Sequence, residues 1–290
     1  MKNNFKALLS VILAAIFGGG IAVFGKVGLK QIPPFSFTFL RFFIASFFML
    51  PLIFKEKHKI NNSLFKLVLL SLLATANVTL FAFGVRLTTA TISQMLYAIV
   101  PVVAIILSVF LLKEKINYKK FIGIFLGLVG VLILILLPIL GKPTAFSGNI
   151  LGNLIILIAV ICFTLYSVLS KKFQKNYSPA YLTFIFGLST VFVLSPFFIK
   201  DIITTQWISH LSLTAILSTL YVGIFGGAVY YLLYQYAIKH GSPVIASMTM
   251  YLQPTATFLW AYFLLSERLT LGIFIGGILA FIGAWLVTKK

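Results

Sequence analysis

Residues 97–115, YAIVPVVAIILSVFLLKEK, return in similar form 153 positions later as residues 250–268, MYLQPTATFLWAYFLLSER. Each copy is an apolar segment with a proline inside it, Pro101 or Pro254, followed by a short charged cap and a glycine-spaced apolar run. A match of this length in the same order indicates an internal duplication.

The duplication extends toward the start of each copy. Lys26 matches Lys171 at an offset of 145, so an eight-residue difference falls in the loop that follows Lys200. The two repeats are predicted to occupy residues 1–140 and 146–290. Internal repeats in an apolar chain are typical of transporters, whose binding site lies where the repeats meet.

Composition excludes a water-soluble globular protein. The chain is 61% hydrophobic and 9% charged, with a mean hydropathy of +1.11, as expected of a multi-pass membrane protein. Its net charge of +19 would suggest a nucleic-acid partner in a soluble protein, but the lysines lie in short loops between apolar spans, so no nucleic acid is expected. The single cysteine, Cys162, excludes a disulfide framework or a thiolate metal site.

The fold class predicted is an all-α membrane protein of ten transmembrane helices in two inverted five-helix repeats. Each helix is near the roughly 20 residues that cross a bilayer. The predicted helices are residues 7–29, 35–54, 64–85, 90–112, 119–138, 150–170, 179–198, 212–237, 243–265 and 270–288. The first is interpreted as a retained helix, because its removal would leave the matching segment of the second repeat without a counterpart.

The distribution of basic residues predicts the orientation. Of the 23 lysines and arginines, sixteen fall in loops on one side, six on the other, and Arg41 lies within a span. The positive-inside bias then places both termini in the cytoplasm, with the protein in the inner membrane. Five helices is an odd number, so the two repeats enter from opposite sides, which suits alternating access.

The matched prolines are predicted to act as kinks and gates. A proline lacks the backbone N–H, so Pro101 and Pro254 free the carbonyls of Tyr97 and Met250. In lipid, each freed carbonyl needs another partner, although a kink that only shapes packing is the alternative. Gly19, in a run of three glycines, is a further candidate hinge.

Polar side chains near these prolines are the candidate substrate-binding residues, since such groups tend to face the bundle interior or a wet cavity. Ordinary hydrogen bonding between helices and anchoring at the membrane interface are the alternatives, and Tyr234 is assigned to these. The candidates are Asn77, Gln94, Tyr97, Tyr230, Tyr251 and Gln253.

Arg41 is the only charged residue well inside an apolar span. Two interpretations stay open. The side chain snorkels toward the nearer membrane surface, or it serves as a cavity cation for an anionic group of the substrate.

Acidic residues are few and shallow. Glu56 and Asp201 are predicted in loops, and Glu114 and Glu267 at helix ends, where pairing with nearby basic groups is the favoured interpretation. Without a carboxylate at mid-depth, proton coupling through a buried acid is not expected. No catalytic triad, metal spacing or nucleotide-binding loop is visible, so neither an enzyme nor a cofactor is predicted.

Glycines spaced along the fifth and tenth spans allow close backbone approach. They include Gly123, Gly127 and Gly130 in one span, and Gly276 and Gly283 in the other. Packing within the bundle is the favoured interpretation, and a homodimer contact is the alternative.

The two copies, with their Leu112-Lys113-Glu114-Lys115 and Leu265-Ser266-Glu267-Arg268 caps, and the second-span pattern Leu40-Arg41-Phe42 resemble the drug/metabolite transporter superfamily, EamA-type branch. The first span departs from it, with Gly18-Gly19-Gly20 where the family usually has a tryptophan-glycine-serine-like start. The resemblance implies a ten-helix carrier of amino acids or other small metabolites, often outward. The prediction is therefore a carrier or facilitator for a small-molecule substrate in the lipid bilayer. A multidrug or cationic-compound efflux carrier and a non-transporting scaffold or sensor are the alternatives.

Overall fold

A computed structural model describes residues 2–54, 56, 62–87, 93, 96–136, 149–265 and 271–288, and within these ranges the protein is helical, with no strand. The main helices are α1 (Lys2–Leu29), α2 (Pro34–Ile53), α3 (Asn62–Leu87), α4 (Val100–Leu112), α5 (Tyr118–Leu136), α6 (Ile150–Phe173), α7 (Pro179–Thr204), α8 (Leu213–His240), α9 (Pro243–Ser247 and Thr249–Leu265) and α10 (Leu271–Thr288). Among the described residues, α1, α2, α3, α6, α7 and α8 are each long and apolar enough to cross a membrane.

Helices of the second repeat begin at side chains that cap them. Ser178, Ser212 and Ser242 each accept a hydrogen bond from a backbone N–H in the first turn of α7, α8 and α9. Asn149 does the same for α6. Short polar residues before an apolar run are preferred at this position because they satisfy otherwise unpaired donors.

The predicted end of the seventh helix is wrong. Helix α7 continues past residue 198 to Thr204, so Asp201 lies in the helix and not in a loop. Its carboxylate accepts a hydrogen bond of 2.7 Å from Ser36 in the first turn of α2. Hydropathy alone ends a span at its first charged residues, whereas a helix continues as long as its backbone bonds can form.

The two segments that carry the matched prolines are interrupted, at different distances from the proline. In the first repeat, a turn at Ala98 and Ile99 precedes α4, and Pro101 falls in the first helical turn, where a missing N–H removes no bond. In α9 the interruption is at Met248, six residues before Pro254.

Side chains beside the second interruption bond to the backbone. Ser247 and Thr249 donate to the carbonyls three residues earlier, at 2.7 and 2.8 Å. Such bonds compete with the regular helical pattern and bend a helix locally.

Helix α8 contains an eight-residue π-helical segment, Val222–Val229, between two α-helical parts. The sequence pattern gave no indication of it. Three of its residues are glycines, and Gly223, Gly226 and Gly227 are buried where α1 and α2 pack closely against α8. A π segment widens the helix and frequently lies at functional sites.

The helix pairs follow the exchange symmetry of two repeats. Helices α2 and α7, and α5 and α10, pack against their own counterparts. The α3–α6 contact is matched by α8–α1, and α4–α6 by α9–α1. The main helices among the described residues number five in each repeat, so counterpart helices run in opposite directions, and the architecture is an all-α membrane protein of two inverted repeats.

The two ends of the bundle differ in charge. The end of α4, the end of α6 and the end of α8 bring Lys113, Lys171, Lys172, Lys175 and Lys239 around one cleft. We call this end the lysine-rich face, and the end formed by the α1–α2 turn the opposite face.

The glycine-spaced spans pack against each other inside one chain. A β-carbon on Gly283 would lie 2.5 Å from the carbonyl oxygen of Gly123, and one on Gly130 would lie 2.6 Å from the amide of Ala280. The α5–α10 contact therefore occupies the glycine faces, and a homodimer, which stays a prediction, would need another surface.

Candidate functional site

The structure contains two neighbouring compartments that share part of their lining: a central compartment lined by residues of both repeats, and an outer compartment lined by residues of the first repeat. The outer compartment begins at Gly25 and Lys26 near the opposite face, and the central compartment reaches Tyr230 and Gln253. Both compartments are lined by Ile21, Arg41, Val78, Phe81 and Ser93. The volume of the central compartment is about 60 Å³, which holds on the order of five water molecules at roughly 10–15 Å³ each.

Arg41 lies where the two compartments join, and only 6% of the residue is exposed. Its Nη2 donates a hydrogen bond of 2.9 Å to the carbonyl of Gly226, in the π-helical segment of α8. Its Nε is buried and has no hydrogen-bond partner among the described residues. The guanidinium carbon lies 5.1 Å from the ring centre of Phe42 and 5.9 Å from that of Tyr231. The structure therefore places this cation inside the bundle, with a donor still available.

Asn77, on α3, lies across the central compartment. Its Nδ2 donates to the hydroxyl of Tyr97 at 2.6 Å and to the carbonyl of Ala159 at 2.8 Å. The carbonyl can only accept, which fixes the orientation of the amide. Both N–H groups are used in this way, so the remaining hydrogen-bonding capacity of Asn77 is the acceptor Oδ1.

Gln253, on α9, has a similar arrangement. Its Nε2 donates to the carbonyl of Gly18 at 3.0 Å, and the side chain lines the central compartment. This bond again orients the amide, so Oε1 is available as an acceptor.

Aromatic rings form much of the remaining wall, with Phe81, Tyr97, Phe163, Tyr230 and Tyr231 lining the compartment. Phe81 and Tyr97 pack edge to face with ring centres 5.2 Å apart, and Tyr230 and Tyr231 do so at 5.0 Å. The cavity is thus apolar along its sides, with a cationic donor at Arg41 and amide acceptors at Asn77 and Gln253. This arrangement suits a small molecule that carries an anionic group and a cationic group on an apolar body.

The structure brings together Arg41, Asn77, Tyr97, Tyr230 and Gln253 of the predicted site. Tyr251 lies elsewhere. It is fully buried against Gly127 of α5, where a β-carbon would overlap its ring. On a helix, residues three apart share a face, so Met250 and Gln253 line the cavity while Tyr251 points about 100° away. Gln94 lies outside the described residues.

The three candidate gating residues differ in how they lie relative to the cavity and to neighbouring helices. Helix α1 is continuous through Gly19, whose missing side chain allows α9 to approach: a β-carbon there would lie 2.7 Å from the amide of Thr257. Thr257 also donates to the Gly19 carbonyl at 3.0 Å. Pro101 and Pro254 both follow residues of the cavity wall, Tyr97 and Met250. Their roles in gating stay predictions.

Sequence reasoning missed Tyr231 as a cavity residue. Tyr230 and Tyr231 are adjacent, and a regular helix would place only one of them toward a narrow cavity. They directly follow the π-helical segment, and both line the compartment. Tyr234, by contrast, is fully buried away from the cavity and is hydrogen-bonded at 3.0 Å to Ser167, an interhelical contact of the kind predicted for it.

Glu114 lies at the lysine-rich face and not in the cavity. Burial raises the pKa of its carboxyl above the ordinary value, and the positive charges of Lys120 and Lys171 lower it in part. Lys120 lies in the next helix, α5, and Lys171 lies near the end of α6. Neither of them is one of the sequence neighbours of Glu114, Lys113 and Lys115. Its Oε2 is buried without a hydrogen-bond partner among the described residues. In the part of the chain that the structure describes, no three histidine, cysteine or acidic residues group as metal ligands would.

Comparisons with known proteins agree with this architecture. The model of the EamA-like transporter family matches residues 5–136 and again residues 150–289. An "Uncharacterized transporter" of Archaeoglobus fulgidus is 29% identical over 99% of this chain and 99% of its own length. "Uncharacterized transporter YoaV" of Bacillus subtilis is 24% identical over 98% of this chain and 97% of its own length. A solved crystal structure has a TM-score of 0.78 at 17% identity, covering 97% of this chain and 98% of that chain, and so shares the fold.

Proposed function

Because the chain belongs to the EamA-like transporter family, we propose that it is a secondary carrier for small zwitterionic metabolites, with amino acids as the substrate class. The proposal includes export from the cytoplasm, alternating access between the two membrane faces, and an inner-membrane location with both termini inside. The lysine-rich face is then cytoplasmic, in accord with the positive-inside bias.

One observation carries the substrate class: the buried guanidinium of Arg41, at the junction of the two compartments, with its Nε free of any described partner. A cation in a membrane interior is costly unless it is paired or hydrated. A substrate carboxylate entering the cavity supplies both a counter-charge and an acceptor. Arginine is suited to this role because its planar fork matches carboxylate geometry.

The opposite end of the substrate meets acceptors. Asn77 has both amide N–H groups committed, to Tyr97 and to the Ala159 carbonyl, and Gln253 has one committed to the Gly18 carbonyl. Their carbonyl oxygens suit an ammonium group, and the aromatic faces of Tyr230 and Tyr231 add to the attraction for a cation. The distribution of donors and acceptors matches an α-amino acid better than a simple amine.

The compartment as it stands holds only a few waters, so a larger ligand requires side chains or helices to move. Such opening and closing is the expected behaviour of an inverted-repeat carrier. Among the described residues, Glu56 bonds with Ser178 and Asp201 with Ser36, and Glu114 lies outside the spans. The proposal therefore places no proton-carrying acid in the cavity.

The test is transport in proteoliposomes with three matched compounds: phenylalanine, its amide, and phenethylamine. A carboxylate-selective carrier moves phenylalanine at least about tenfold faster than the other two at equal concentration, since one charge-assisted contact contributes about that factor or more. A preference for phenethylamine would instead support the efflux of cationic compounds, which the aromatic walls favour. No movement of any compound across a wider metabolite panel would support a scaffold or sensor.

The direction and the driving force of transport are measured in the same vesicles. Loading the compound on either side, with and without a pH gradient, separates a facilitator from a proton-coupled carrier. Equal rates with and without the gradient are expected.

A further inference from the structure

A second group of polar side chains is buried between α6 and α8, on the lysine-rich side of the cavity. We call it the inner cluster, and it consists of Tyr166, Ser170, Gln174 and Gln235. Gln235, which has no exposed surface, is its centre. Its Nε2 donates to the hydroxyl of Tyr166 at 3.2 Å, and its Oε1 accepts from Ser170 at 3.3 Å and from Gln174 at 2.7 Å.

Lys171 closes the same region from outside. Its ammonium donates to the backbone carbonyls of Ile238 and, at 3.0 Å, Gly241 at the end of α8. A lysine at a helix C-terminus satisfies otherwise unpaired carbonyls and interacts favourably with the helix dipole. The ends of α6 and α8 are thereby held together.

The inner cluster corresponds, residue by residue, to the outer compartment of the cavity. At an offset of 145, Ile21 matches Tyr166, Gly25 matches Ser170, Lys26 matches Lys171 and Leu29 matches Gln174; at an offset of 153, Ala82 matches Gln235. The first member of each of these pairs lines the outer compartment. The two regions are therefore the same part of the repeat, at opposite ends of the path.

The two ends differ in what fills them. In the outer compartment the matching side chains are mostly small or apolar, and a β-carbon on Gly25 would have no atom within 4 Å. In the inner cluster every one of these positions carries a hydrogen-bonding group, and each residue of the cluster is at most 8% exposed. One end contains a small cavity, of about 30 Å³, and the other is filled and hydrogen-bonded.

We infer that the inner cluster is the closed inner half of the translocation path, and that Tyr166, Ser170, Gln174 and Gln235 line a cavity open to the lysine-rich face in the alternate state. In an inverted-repeat protein the two repeats exchange conformations, so the positions that line the open half in one state line the other half in the next. Gln235 stabilises the closed state. In the alternate state, Lys171 becomes the basic residue at the inner mouth, as Lys26 is at the outer mouth in this structure. This inference rests on the proposed carrier function.

The inference is tested by thiol accessibility, which requires no substrate. Replacing Cys162 by serine leaves no native cysteine. Into this background we place Gly25→Cys or, at the matching position, Ser170→Cys. Each variant is treated in oriented vesicles with a maleimide that does not cross lipid. Gly25→Cys is expected to react from the opposite face, and Ser170→Cys to be protected from both faces except during rare opening toward the lysine-rich face.

The perturbation is Gln235→Ala, which removes the bonds to Tyr166 and Gln174 and, where Ser170 is retained, the bond to Ser170. Reaction of Ser170→Cys from the lysine-rich face should rise about tenfold, as expected for the net loss of one or two hydrogen bonds that exist only in the closed state. Reaction of Gly25→Cys should fall in the same background. Thr190→Val is the matched control, because it removes a buried interhelical bond of 2.9 Å to Thr75 that lies outside the cluster, and it should change neither rate.

Three results would overturn the inference: no change in either thiol with Gln235→Ala, an increase in both thiols together, or an equal effect of Thr190→Val. If Gln235→Ala does not fold, Gln174→Ala, which removes two bonds to Gln235, must produce the same opposite changes on a smaller scale, or the inference fails. Opposite changes without transport of any amino acid would leave the inner cluster as the gate and refute the proposed substrate class.

Discussion

Replacing Arg41 by methionine tests the substrate site most directly. Methionine retains apolar contact with Phe42 and Tyr231 but removes the charge and every donor. Arg41 already donates one bond to Gly226, at 2.9 Å, so its free Nε and one neighbouring N–H are available to a carboxylate. Each charge-assisted hydrogen bond contributes about 1.5–3 kcal/mol, and 1.36 kcal/mol corresponds to a tenfold change.

The expected loss follows from these values. Arg41→Lys keeps the charge but loses the planar fork, so the half-saturation concentration for phenylalanine should rise about 10- to 150-fold, the equivalent of one lost bond. Arg41→Met should lower phenylalanine transport further and should remove the preference for phenylalanine over its amide, leaving a ratio within about threefold.

The assay is initial-rate uptake into proteoliposomes, normalised to folded protein. Arg86→Met is the control, because Arg86 is an exposed cation at the end of α3 and should leave the ratio unchanged. If Arg41→Met keeps the wild-type preference for the carboxylate over the amide, then Arg41 does not bind the carboxylate and the assignment of the substrate class fails.

Three further predictions concern packing, pH and orientation. Gly283→Ala should lower thermal stability in detergent by about 1–3 kcal/mol, because its β-carbon would lie 2.5 Å from backbone of α5; Gly25→Ala, with no atom within 4 Å, should not, and equal melting temperatures would contradict the α5–α10 packing. Glu114→Gln should be more stable than the parent at neutral pH, since burial raises the pKa of this carboxyl. In thermal melts, the difference in stability between variant and parent should grow as pH rises above the ordinary pKa of 4.5 and vanish below it. A difference that does not change with pH would refute the argument. Reporter fusions at Lys115 and Lys175 should both indicate cytoplasm, and a periplasmic signal from either would invert the proposed topology.

Much of the architecture could be predicted from the sequence because membrane spans are defined by long apolar runs, and the duplication sets which runs correspond. Local departures could not. The extension of α7 to Asp201 depends on a partner, Ser36, that is 165 residues away. The π-helical segment Val222–Val229 depends on how closely α1 and α2 approach its glycines. These are tertiary effects, and no single-span pattern contains them.

The candidate site, like the fold, could be predicted from the sequence only in part. Arg41, Asn77 and Gln253 were predictable because polar groups inside apolar spans are costly unless they face an interior or a cavity. Depth alone, however, does not give rotation about the helix axis. For this reason the sequence predicts Tyr251 as a cavity residue although it packs on Gly127, and does not single out Tyr231 beside Tyr230.

The unequal filling of the two path ends, polar and bonded at the inner cluster and hollow at Gly25, has a kinetic consequence. Under the gate that we propose, most molecules face the opposite side, so a ligand arriving from the lysine-rich side meets only a small competent fraction, and its apparent dissociation constant is enlarged by the inverse of that fraction. In a passive carrier this inequality leaves the net direction to the concentration gradient, yet it makes the half-saturation concentration higher inside the cell than outside. With export as the direction, such a protein transports little at ordinary metabolite concentrations, and its export rate rises only when the internal concentration becomes high.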